Sequence, residues 1–157
     1  MKKIISSLLI AGVTLLALPN DPVELSLIAK AAEKKAIVLA TMKLDQETQK
    51  KFGDLYDQYQ EKMMKLRIQE LSIIAEYAKN YNNLTNDTAD KLIANWMDVE
   101  EAEHKLKKEY IEKFKKVLPS SEVIRYYQIE NKFELMRELQ RSELIPLAIP
   151  AQLQTTK

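Results

Sequence analysis

Between Pro22 and Pro119 the chain contains no proline, and beyond its first twenty residues it holds a single glycine, Gly53. Proline interrupts helices, and glycine serves turns and bulges. A span of that length with neither leaves room for little but long helices. The expected fold class is therefore all-α, with no β-sheet.

The segment before that span has a different character. Lys2 and Lys3 precede an apolar run from Ile4 to Leu18, the layout of a secretory signal over residues 1–20. The run is short for a membrane-spanning helix, and Pro19, Asn20, Asp21 and Pro22 end it sharply. Cleavage is expected between Ala17 and Asp21, leaving an exported chain with no membrane insertion. Residues 21–148 then read as a single helical domain, and 149–157 as a flexible tail containing Pro150. The formal charge of +1 includes Lys2 and Lys3, so the mature chain sits near −1. That balance lacks the clustered basic footprint of a nucleic-acid binder. Without cysteine there is no disulfide, thiol nucleophile or thiolate metal site, and the helices must hold by packing alone.

Four helices are expected, at about 22–43, 45–81, 85–117 and 119–142. Asp21-Pro22 opens the first, with Glu24 placed to close a capping box. Asp45 caps the second, which runs unbroken for on the order of 55 Å at ~1.5 Å per residue. Asn80, Asn82 and Asn83 mark a turn, and Thr85 caps the third helix with Asp87 in its first turn. Leu118-Pro119-Ser120 restarts the chain into the fourth.

Apolar stripes decide the packing. Phe52, Leu55, Tyr59, Met63, Leu66, Ile73, Ile74, Tyr77 and Tyr81 share one face of the second helix. The third answers with Leu92, Trp96, Val99, Leu106, Tyr110, Phe114 and Val117, and the fourth with Val123, Tyr126, Ile129, Phe133, Met136 and Leu144. Two long helices joined by a short turn make an antiparallel hairpin, with the two further helices packed on it. A second stripe, Met64, Ile68, Leu71 and Ala75, lies to the side of the second helix, as Ile93, Met97 and Ile111 lie to the side of the third. These residues serve either as core beneath another helix or as a working surface. Met63, Met64, Ile68, Leu71, Ile73 and Tyr77 are the candidate protein-contact residues, because methionine and aromatic surface suits adaptable binding. Left uncovered, such a patch marks a homodimer or client surface.

Two acids interrupt the main stripes: Glu70 between Leu66 and Ile74, and Glu103 between Val99 and Leu106. A buried acid needs a partner. Arg67, Arg125 or Arg137 supplies it, or the stripe has a gap that admits water. Glu101-Ala102-Glu103-His104 contains a Glu-x-x-His pair, but His104 is the only histidine and a bundle metal site needs a second such pair. No metal or other cofactor is expected. With no glycine-rich phosphate loop, thiol or nucleophile elbow, the chain does not read as an enzyme.

Three helix starts share a form: Leu44-Asp45-Gln46-Glu47-Thr48, Leu84-Thr85-Asn86-Asp87-Thr88 and Leu118-Pro119-Ser120-Ser121-Glu122. The arrangement resembles the Spy/CpxP-like family of small periplasmic helical proteins, marked by repeated Leu-Thr-x-x-Gln motifs after a signal peptide. Here the motif is degenerate, with Thr88 at the glutamine position. The stretches Lys116-Val117-Leu118-Pro119 and Arg125-Tyr126-Tyr127-Gln128-Ile129-Glu130-Asn131-Lys132 resemble a long-helix relative of that group. The resemblance, over residues 21–148, implies a periplasmic, ATP-independent chaperone or envelope-stress adaptor that binds unfolded or partner proteins. The alternative is a regulatory or metal/stress sensor of the cell envelope with one defined protein partner.

Overall fold

Asp45 and Thr85 start the two long helices through their side chains. Asp45 accepts from the backbone N–H groups of Glu47 at 3.1 Å and Thr48 at 3.0 Å, and Thr85 Oγ1 accepts from Thr88 N–H at 3.2 Å. Each contact satisfies donors that a helix N-terminus otherwise leaves unpaired. The computed structural model describes residues 22–149, with side chains from 29 onward. Among them are four helices, α1 (Pro22–Met42), α2 (Gln46–Asn80), α3 (Asn86–Phe114) and α4 (Ser120–Leu144), a 3-10 turn at Tyr81–Asn83, and no strand. The protein is all-α. The expected signal segment 1–20, Asp21 and residues 150–157 lie outside the described residues.

The helix junctions follow from local chemistry. α1 ends where Lys43 takes the left-handed conformation, φ 54°, and its N–H reaches Leu39 O at 3.4 Å. Arg125 on α4 donates to Thr41 O at 2.9 Å and occupies one of the carbonyls the helix end leaves open. Pro119 precedes α4 in extended geometry, and its carbonyl accepts from Glu122 and Val123 N–H at 2.9 and 3.0 Å. Its fixed φ suits the entry, and no side-chain cap is needed there.

α1 crosses the boundary between a unit ending at Ala36 and one beginning at Ile37. All packing described below belongs to the second unit. There α2 and α3 form the hairpin, and the final turns of α1, through Val38, Leu39 and Met42, join a core with the first half of α4. This core sits at the end of the hairpin away from the Tyr81–Asn83 turn and is dominated by rings. Phe52 and Phe114 lie 5.4 Å apart, Phe114 and Tyr126 4.6 Å, Phe52 and Tyr126 5.1 Å, and Tyr59 and Tyr110 5.3 Å. The interplanar angles run from tilted to T-shaped, the arrangements that ring quadrupoles favour.

Val38 and Tyr56 are wholly buried members of this core that the stripes did not mark. Burial removes the Tyr56, Tyr59 and Tyr126 hydroxyls from water, and the nearby Glu130 carboxylate adds to the effect, so all three hold their protons well above the usual tyrosine range.

The inner face of α4 departs from expectation past Phe133. Met136 and Leu144, placed on its stripe by type, are both exposed. Arg137 and Arg141 turn inward instead, one and two turns beyond Phe133, because the 3.6-residue repeat continues through them and Glu70 waits opposite.

Candidate protein-contact surface

Beyond the ring core, α2 and α3 continue side by side to the Tyr81–Asn83 turn with less covering them. Ile73, Ile74 and Tyr77 from α2 face Leu92, Ile93, Trp96 and Met97 from α3 across a groove of about 320 Å³. Ile145, just past the end of α4, forms a further wall. The lining is almost entirely apolar. Ile93 is 61% exposed and Met97 51%, so α3 presents them on the open lip of the groove rather than within a core.

The last part of α4 is held beside this groove by polar contacts. Glu70, buried on α2, accepts from Arg137 Nη1 at 2.6 Å and also pairs with Arg141. Arg137 Nη2 reaches Glu134 at 2.5 Å, and Arg67 reaches Glu134 at 2.9 Å. Arg141 also lies 5.0 Å over the Trp96 ring, whose Nε1–H donates to Glu100 at 2.8 Å. Tyr77 Oη donates to Pro146 O at 2.8 Å. The partner of Glu70 is thus Arg137, joined by Arg141. Arg67 serves Glu134 and Arg125 caps α1. Glu103 is largely buried and lies 3.7 Å from Lys107. Burial alone raises the Glu134 carboxyl, but its hydrogen bond to Arg137 and the charges of Arg67 and Arg137 prevail and leave it below the usual range.

The six candidate contact residues go to three places. Met63 belongs to the ring core, 2% exposed, beside Tyr59 and Tyr110. Ile73 and Tyr77 line the groove. Ile68 and Leu71 are exposed on a separate face of α2, with Met64 half-buried next to them. The residues that complete the groove (Leu92, Ile93, Trp96, Met97 and Ile145) fall outside that set. The pair Ile93 and Met97 was visible in the sequence as the side stripe of α3. Leu92 and Trp96 read there as core, because nothing local shows that α4 stops covering them.

His104 is exposed. Among the described residues no three His, Asp or Glu side chains converge as a metal-binding set, and no helix is long and apolar enough to cross a membrane. What the surface offers is apolar contact area. A helix laid into such a groove buries side chains at i, i+3 and i+4 spacing against it, each Å² contributing roughly 25 cal/mol. No family model, curated protein or solved structure matches the chain.

Proposed function

We propose that this is an exported protein of the periplasm that binds unfolded or partner proteins through apolar helix surface, without nucleotide and without catalysis. It would act as an ATP-independent chaperone or envelope-stress adaptor, as its resemblance to the Spy/CpxP-like group implies. The observation that carries the reading is the groove between α2 and α3. An almost purely apolar channel lies open at one end of the hairpin, with Ile93 and Met97 exposed on its lip. Ile68 and Leu71 on α2, and Leu135 and Leu139 on α4, add further exposed apolar area. Soluble monomers rarely leave surface of this kind open without a use for it.

The test is suppression of aggregation of reduced, unfolding lysozyme, followed by light scattering with the mature protein at equimolar ratio. The wild type should hold scattering down equally with and without ATP. Ile93→Glu with Met97→Glu should abolish the effect while the helical circular dichroism stays unchanged, since both side chains are exposed. A wild type without effect on several clients, or a double variant as active as wild type, refutes the reading. Saturable binding to one envelope protein, with no effect on any client, would instead select the regulatory or sensor function.

A further inference from the structure

Charge is not spread evenly along the hairpin. The half that contains the groove, residues 68–104 and 135–149, carries ten Asp/Glu against four Lys/Arg. The half that contains the ring core, residues 37–67 and 105–134, carries fourteen Lys/Arg against ten Asp/Glu. The first is six charges negative and the second four positive, although the chain as a whole is near neutral.

The imbalance at the groove end is sharper than the count. Two of its four cations, Arg137 and Arg141, are engaged by buried Glu70. A third, Lys79, lies 3.8 Å from Glu76 on its own helix. Asp90 and Glu100 flank the lip residues Ile93 and Met97 at helical spacing, and both are exposed. Asp87, Asp98, Glu138 and Glu143 are exposed on the same half of the molecule. At the basic end many lysines are answered locally instead, as in Lys51–Glu47, Lys65–Glu61, Lys113–Glu109 and Lys115–Glu112.

We propose that the groove between α2 and α3 is a docking site for a cationic amphipathic segment of a partner protein. Its apolar face would fill the channel, and its lysines or arginines would meet the acids on the α3 lip. The inference rests on the reading that the groove is a working surface, and it adds the chemistry of the occupant.

Physical complementarity works on both sides of the choice. The groove is lined along α3 from Leu92 to Met97, on the order of 8 Å at ~1.5 Å per residue, enough for about one and a half turns of a facing helix. Apolar side chains spaced i and i+3 or i+4 reach into such a channel together. An acidic segment with the same apolar face would bring its carboxylates against Asp90 and Glu100, and that repulsion discriminates between otherwise equal ligands. Because these carboxylates are exposed, salt screens the discrimination and leaves the apolar contact in place.

Trp96 is the only tryptophan and lines the groove, so its fluorescence reports occupancy directly. Three synthetic amphipathic helices with an identical leucine face, and with lysine, glutamate or glutamine on the polar face, would be titrated against the mature protein. The lysine peptide should bind about tenfold more tightly than the glutamate peptide at low salt, and the ratio should shrink toward unity as salt is raised past about 0.5 M. Asp90→Lys with Glu100→Lys should reverse or erase the preference, each protein's own unbound fluorescence serving as its baseline and helicity and melting temperature as the folding control.

Equal affinity for the lysine and glutamate peptides overturns the proposal while leaving an apolar docking groove. If no peptide changes Trp96 fluorescence while aggregation suppression persists, the groove is not the site, and the proposal fails without the wider function. If neither peptide binding nor suppression is seen, both fail together.

Discussion

Replacing Gly53 with alanine should stabilise the protein. Gly53 lies in the third turn of α2, away from either end, and its φ is not positive, so nothing in the backbone requires glycine. A Cβ placed there meets no atom within 4 Å, so the added methyl neither clashes nor gains packing. What remains is the intrinsic difference between the two residues in a helix interior. It amounts to about 0.8–1 kcal/mol in favour of alanine, largely because glycine leaves the unfolded chain more freedom to lose. For a unit of this size, that corresponds to a rise of about 4 °C in Tm. Thermal and urea melts followed at 222 nm on residues 21–157 would measure it, with an unchanged urea slope showing that the unfolded state exposes the same surface. A Tm equal to or below that of the wild type refutes the reasoning. A fall would mean that another part of the folded chain presses against α2 at Gly53.

Phe114 touches Phe52, Tyr59, Tyr110 and Tyr126 in one cluster, so Phe114→Ala should cost about 3–5 kcal/mol, read as a drop in urea midpoint. Retention of more than half the wild-type stability margin would show that the cluster collapses around the gap. Tyr56, Tyr59 and Tyr126 keep their protons above the ordinary tyrosine value of 10.0, so the stability they contribute is full below that pH and lost as pH rises beyond it. An alkaline titration followed at 295 nm should therefore show these three of the seven tyrosines ionising only as the helical signal collapses; smooth titration of all seven with the fold intact would contradict their burial. Glu134 has the opposite sign: its folded value lies below the ordinary 4.5, so its contribution is present above that pH and lost as pH falls below it. Glu134→Gln should flatten the acid limb of the stability curve, and an unchanged limb would remove Glu134 from the account.

Much of this architecture was legible residue by residue. Asp45 and Thr85 could be read as caps because capping is local: an oxygen, a short arm and two or three following N–H groups suffice. The hairpin followed from two long stripes around a three-asparagine turn. Glu70 stood out because a carboxylate at a stripe position demands a partner, and Arg137 was among the residues that met the demand. The misplacement of Met136 and Leu144 has a different origin. Their apolar type suggested that the inner face of α4 ran to its end, whereas the helical repeat carries Arg137 and Arg141 inward toward Glu70. Val38 and Tyr56 escaped notice because their burial comes from elements distant in sequence. The groove was illegible for the same reason. Leu92 and Trp96 resemble Leu106 and Tyr110 in every local respect, and only the extent of α4's apolar cover makes the first pair a surface and the second a core.

The ring core and the Glu70–Arg137–Arg141 contacts occupy successive stretches of one continuous pair of helices, and this division sets the order in which the molecule opens. Local opening free energies follow buried apolar contact, which is dense from Phe52 to Met63 and sparse from Ile73 to Asn80. The end of α4 beyond Phe133 is fastened to α2 mainly through charges and a single tyrosine hydroxyl. Backbone amides near Tyr77, Trp96 and Arg141 should thus exchange with solvent through small fluctuations, while those near Tyr56 and Tyr110 wait for global unfolding. The two helices are thus held by the ring core at one end and tied by the Tyr81–Asn83 turn at the other. What yields to segments of different girth is therefore the end of α4 beside the groove rather than the spacing of the helix ends.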